Sequence, residues 1–145
     1  MRNKIFTLLL FITTLVSAQA LPEDLKSAIK TDHTAGFSKL LTTDRMNTCY
    51  DAGNSRYTLL ALTIKYEAKA CFKMLVSQKV DLEKACSSKT PLMYAVKYGQ
   101  LDTVKALIFA GADYKAKNTR GRTAMDYAKK YGQKEIYEYL QGLKK

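Results

Sequence analysis

Apolar positions along this chain recur at helical spacing within short segments, and the segments themselves recur. Leu25, Ala28 and Ile29 share one helix face behind Pro22, Glu23 and Asp24, a proline tolerated in a first turn and two acids suited to its positive end. Phe37, Leu40 and Leu41 follow as a degenerate second helix. Downstream the correspondence is nearly residue for residue. Leu60 matches Leu92, Tyr66 matches Tyr98, Leu75 matches Leu107 and Asp81 matches Asp113 at a shift of 32, and Thr90 matches Thr123 at a shift of 33. The last segment offers Ala128, Ile136, Leu140 and Leu143 as its inward set, while Lys129, Lys130, Lys134, Lys144 and Lys145 suit a wet outer face. Such a period predicts a stack of helix-turn-helix units, each burying its apolar face only against its neighbours. Four units are expected, over residues 21–53, 54–87, 88–120 and 121–145.

The first 20 residues follow a different pattern. Arg2 and Lys4 precede an apolar run from Ile5 to Val16, and Ala18-Gln19-Ala20 has the small-x-small form of a processing site. A run of about 12 apolar residues is short of the roughly 20 that span a bilayer. The expectation is a cleaved secretory signal over residues 1–20, with a mature chain of residues 21–145 and no stable membrane anchor. The mature chain keeps a net charge of about +9, the +11 of the whole sequence less Arg2 and Lys4.

The recurring residues are specific. Thr90-Pro91-Leu92 opens a first helix, Gly99 separates two helices, and Gly111-Ala112-Asp113 closes the unit. In these residues and in its period the chain resembles the ankyrin repeat. The resemblance implies an all-α ankyrin-repeat solenoid of about four helix-turn-helix repeats with short hairpin-like fingers. It also implies a surface for gripping another protein and no built-in chemistry. The second unit departs from the pattern, with Glu67 at the interhelix glycine and Lys79 at the exit glycine. Those turns therefore either take another geometry or carry strain. With the signal segment added, the chain resembles the small exported ankyrins of bacteria, including self-protection (immunity) types, which implies a periplasmic location.

Catalysis is not expected. His33 is the one histidine, it falls between the helices of the least regular unit, and no neighbouring nucleophile is indicated. The histidine of the family's T-P-L-H motif is replaced by Met93 and Asp126, and no glycine-rich phosphate loop is present. The expectation is a chain that is not an enzyme and holds no cofactor or metal. The three cysteines show no zinc spacing. By its place in the repeat, Cys71 is a buried, inert thiol, whereas Cys49 and Cys86 lie in consecutive fingers. Adjacent ankyrin fingers stand about 10 Å apart, farther than a disulfide allows. A Cys49–Cys86 bridge thus requires the longer first finger to lean on the second, and both bridged and unbridged states remain open.

In an ankyrin stack the concave surface includes the two residues before each interhelix glycine. Here these are Lys65-Tyr66, Lys97-Tyr98 and Lys130-Tyr131, a pair repeated three times. The resemblance makes them a ladder of cations and amphipathic rings facing an acidic partner, with the bland alternative that each Tyr covers its neighbouring repeat and each Lys is solvated. The fingers add Tyr50, Asn54, Arg56 and Tyr57 in the first and Lys117, Arg120 and Arg122 in the third. Tyr50, Arg56 and Tyr57 are expected to give specificity, and Arg120 and Arg122 to steer association. The leading expectation is a monomeric module that binds and inhibits an exported, acidic-surfaced enzyme, such as one that cuts peptidoglycan. Two alternatives stand beside it. One is a helper of a periplasmic haem enzyme such as catalase, for which His33, a methionine or a cysteine would have to ligate. The other is adhesion of the basic face to envelope polymers or lipids. Export disfavours nucleic acid.

Overall fold

A computed structural model of the chain describes residues 19–144. The expected leader therefore lies, but for its last two residues, outside the described residues. The helices fall in pairs: α1 (Glu23–Lys30) with α2 (Thr34–Leu40), α4 (Leu59–Lys65) with α5 (Lys69–Ser77), α6 (Pro91–Lys97) with α7 (Leu101–Phe109), and α8 (Ala124–Lys130) with α9 (Lys134–Gly142). A single extra turn, α3 (Thr43–Met46), sits in the first finger. This is the all-α solenoid expected from the repeat.

The recurring threonines explain where the first helices begin. The N–H of Ala61 donates to Thr58 Oγ1 (3.1 Å), that of Met93 to Thr90 Oγ1 (3.3 Å) and that of Asp126 to Thr123 Oγ1 (3.4 Å). Each satisfies a backbone donor that the helix cannot, a contribution of about 1 kcal/mol per cap. Thr123 also forms a reciprocal capping box, its own N–H donating to Asp126 Oδ2 at 2.8 Å.

The interhelix residue is left-handed in every pair, with φ of 50° at Asp32, 56° at Glu67, 69° at Gly99 and 66° at Gly132. The exit turn repeats the device at Lys79 (φ 54°) and Gly111 (φ 105°). The second unit thus keeps the family geometry and holds two non-glycine residues in a conformation that costs them energy. Asp32 turns its strained position to use. Its carboxylate accepts from the N–H groups of Ala70 (2.9 Å) and Cys71 (2.8 Å) at the start of α5 in the next unit. Partial burial pushes its pKa up, but these hydrogen bonds outweigh that and hold the carboxyl below the usual aspartate value.

Contacts between units repeat in register. Gln100 donates from Nε2 to the carbonyl of Ile64 (2.8 Å), Asp81 N–H to Asn47 Oδ1 (3.0 Å), Asp113 N–H to Glu83 Oε1 (2.8 Å) and Thr119 Oγ1 to Ser88 Oγ (2.9 Å). The core runs along the stack. Leu59 to Ile64 and Pro91 to Val96 are buried on all sides because α4 and α6 are flanked by first helices on either hand. At the end of the stack α8 buries only Ala124, Tyr127 and Ala128 and leaves Lys129 and Lys130 in water. Ala128, Ile136 and Leu140 are buried and Leu143 is half-buried, so α8 and α9 form the wet-faced cap read from the sequence.

The first finger is where the array departs from regularity. β2 (Tyr50–Asp51) pairs antiparallel with β3 (Arg56–Tyr57), and β1 (Gln19–Ala20) adds in parallel on the other edge of β2. The lengthened finger leans on the second one. Cys49 and Cys86 are joined by a disulfide with Cα atoms 5.9 Å apart, and Arg56 N–H donates to Ser87 Oγ (2.9 Å) beside it. Cys71 is the free thiol, fully buried. Burial, reinforced by the neighbouring Asp32, pushes it up to about 12. No described helix is long and apolar enough to cross a membrane.

The structure corrects the expectation that Tyr50 and Tyr57 of the first finger meet a partner and give specificity. Tyr50 is 2% exposed and Tyr57 is 7% exposed. Their hairpin alternates, so that when one side of each strand packs on Leu59 and its neighbours, both tyrosines go inward as cross-strand partners. They are core residues of the finger. Arg56, half-buried on the opposite side of β3, lies 3.6 Å from Asp51 Oδ1 and is already paired. Asn54 at the tip is exposed.

Candidate functional site

Lys65, Lys97 and Lys130 close the first helices α4, α6 and α8, and Tyr66, Tyr98 and Tyr131 are the residues that cap them. Because α6 packs between α4 and α8, the three pairs line up across the stack. In each pair the ammonium lies over its own ring, at 5.7 Å for Lys65 on Tyr66, 5.3 Å for Lys97 on Tyr98 and 5.4 Å for Lys130 on Tyr131. Contacts of this kind are worth about 0.5–1 kcal/mol at an exposed site. They position the lysines without neutralising them.

The ladder is longer and deeper than the three Lys-Tyr pairs. Lys30, the last residue of α1, reaches over Tyr66 at 5.4 Å and adds a rung from the first repeat. Tyr94 and Tyr127 sit one turn back on α6 and α8 and stack against Tyr98 (6.2 Å) and Tyr131 (6.0 Å). Tyr57 packs on Tyr94 at 5.0 Å, and Lys65 lies 4.5 Å above the Tyr57 ring. Lys89, just ahead of the α6 cap, covers Tyr94 at 5.5 Å. Tyr57, expected to face a partner from the finger, is thus part of the floor of the helix ladder. The missed signal was a second recurrence, Tyr94 with Tyr127 at a shift of 33, which is as regular as the Lys-Tyr pair.

The electrostatics are one-sided. Among the described residues the ion pairs are Lys26–Glu23, Arg56–Asp51 and Lys134–Glu138. None involves a ladder lysine. Burial holds the Lys89 ammonium below the usual lysine value, and the charges of Lys97, Arg120 and Lys130 act in the same direction. Tyr98 is pushed up to about 12 by burial, then by its contacts with Tyr57 and the nearby Tyr131 and Tyr66. Its hydroxyl is a donor across the whole physiological range.

The third finger borders this face. Asn118 shapes it, accepting from the N–H groups of Arg120 and Arg122 at Oδ1 (2.9 Å each) and donating from Nδ2 to the Tyr127 hydroxyl (3.1 Å). Lys117, Arg120 and Arg122 are exposed around it. A separate groove of about 510 Å³ runs between the second and third repeats, past Ile64, Phe72 and Leu101, with Glu67, Asp102 and Glu135 at its rim. His33 is an exposed residue at the start of α2, and no cluster of histidine, cysteine or acidic side chains among the described residues is arranged to hold a metal ion.

Known proteins agree with this architecture. The family model described as ankyrin repeats (3 copies) matches residues 25–118. Ankyrin repeat domain-containing protein 45 of Danio rerio is 43% identical over 51 residues, 35% of this chain and 23% of that protein. A putative ankyrin repeat protein of Rickettsia bellii (strain RML369-C) is 38% identical over 68 residues, 46% of this chain and 40% of its own length. The chain therefore spans well under half the length of these curated relatives. Helices α8 and α9 continue the stack beyond the matched residues. With a match over most of its length and the helical hairpins in register, the chain belongs to the ankyrin-repeat family, whose members are in general non-enzymatic protein-interaction modules.

Proposed function

We propose that this chain is an exported binding module that grips an acidic-surfaced protein through the ladder of Lys65-Tyr66, Lys97-Tyr98 and Lys130-Tyr131, and that it inhibits an exported enzyme as a self-protection device. The observation that carries the reading is a row of lysines held in place on tyrosine rings with no carboxylate of their own. Aromatic rings and cations at the centre of a concave surface are the composition of a protein interface that anchors and steers at once. Export rests on the pattern of residues 1–20, namely Arg2 and Lys4, the apolar run and Ala18-Gln19-Ala20. Arg120 and Arg122 on the third finger extend the positive field at the edge of the same face.

The test is to immobilise residues 21–145 and expose them to the envelope fraction of the source cells. One exported protein retained in stoichiometric amount, and losing its activity in the complex, is the expected result. Retention of wall fragments or lipid alone would refute the reading and move the function to envelope adhesion. Retained enzyme that keeps or gains activity would refute inhibition and leave a helper role.

A further inference from the structure

Beneath the ladder lies a polar group that the free protein does not use. The Tyr94 side chain is 1% exposed, and its hydroxyl has no hydrogen-bond partner among the described residues. Its surroundings are the rings of Tyr57 (5.0 Å) and Tyr98 (6.2 Å) and the ammonium of Lys89 5.5 Å from its own ring. Burial pushes its pKa above the usual tyrosine value, so the hydroxyl keeps its proton. A donor is therefore placed beneath a cation, the Lys89 ammonium. The missing complement is an acceptor that is also negative.

We infer that Lys89, Lys97, Lys130 and the Tyr94 hydroxyl form a receiving site for one carboxylate of an acidic segment of the partner protein. This deepens the protein-binding reading of the ladder and rests on it. Lys89 is the half-buried side chain that closes the site from above, and a carboxylate entering beneath it gains the hydroxyl as a donor and relieves the crowding of Lys89 by Lys97, Arg120 and Lys130. Tyr98 and Tyr131 offer partly open faces for the chain that carries the carboxylate.

The hydroxyl makes the inference separable from general charge attraction. A buried donor without a partner costs stability, so Tyr94→Phe leaves the free protein at least as stable as before. The same substitution removes one hydrogen bond to a charged ligand, a loss of about tenfold in affinity. The probe is a fluorescein-labelled tetraglutamate peptide blocked at both ends, read by anisotropy with the full-length protein at low salt. Binding is expected, with about tenfold loss for Tyr94→Phe and for Lys89→Met, and less than twofold change for the remote Lys134→Met. Equal losses for Lys89→Met and Lys134→Met, unchanged binding by Tyr94→Phe, or a lower melting temperature for Tyr94→Phe would each overturn the site. So would no peptide binding alongside Tyr94-dependent binding to phosphatidylglycerol vesicles, which would assign the site to lipid. Loss of the site in these assays, with a protein still captured from the envelope, would leave the broader reading standing.

Discussion

Replacing Glu67 or Lys79 by glycine should stabilise the array. Both residues sit at φ near 55°, where the third and fourth repeats use Gly99, Gly111 and Gly132. A side chain in the left-handed region costs about 1–2 kcal/mol. Glycine gives back about 0.5–1 kcal/mol of that through the greater freedom of its unfolded chain. The net expectation is a gain of about 0.5–1 kcal/mol per site. Nothing else of consequence is lost, since both side chains are exposed and neither joins an ion pair among the described residues. Urea unfolding at constant slope reads the change directly, and a melting scan should show an upward shift of about 2–4 °C per site. Gly132→Ala is the control in reverse. An added Cβ there meets no atom within 4 Å, so its loss isolates the backbone cost. At Gly99 the added Cβ comes within 2.9 Å of the Gln133 amide, the far end of a flexible side chain that can swing aside, so Gly99→Ala should lose about as much as Gly132→Ala. Destabilisation by Glu67→Gly and Lys79→Gly would refute the reasoning and show that these side chains hold their turns.

Other parts of the fold make separate predictions. Opening the 37-residue loop closed by Cys49–Cys86 with a Cys49→Ser/Cys86→Ser double variant should cost about 2–4 kcal/mol in urea unfolding. Cys71 should resist a thiol reagent in the native protein and react as one equivalent after denaturation, because its thiol is buried and pushed up to about 12. Asp32 and Asp126 have carboxyls held below the usual aspartate value, Asp126 by the hydrogen bonds from Thr123. Their contribution is fully present above the unfolded aspartate value and lost as pH falls through the lowered folded one, and Asp32→Asn should flatten part of that acid decline in a melting-temperature series.

Much of this architecture was legible because a repeat states its rules several times. Thr58, Thr90 and Thr123 each cap a helix, and the left-handed turns fall at the same register even where Glu67 and Lys79 replace glycine. The Lys-Tyr pairs were equally visible as a recurrence. The first finger was not, because it occurs once. Nothing repeated in the sequence separates a tyrosine that covers a hairpin from one that projects, and Tyr50 and Tyr57 went inward when the strand pair β2–β3 packed on α4. The Tyr94 hydroxyl was hidden for a different reason. Its helix position is a core position in the second repeat, where Leu62 stands, so burial was predictable, but whether its oxygen finds a partner beneath Lys89 depends on the packing of three repeats.

The central claim is that the ladder is the gripping surface. Its most direct test compares capture from the envelope fraction by the chain and by a Lys65→Glu/Lys97→Glu/Lys130→Glu variant, once circular dichroism shows the variant to be folded. The account predicts that one acidic exported protein is retained in equimolar amount by the original chain and is lost by the variant. Equal retention by both would contradict it and place the interface elsewhere on the stack.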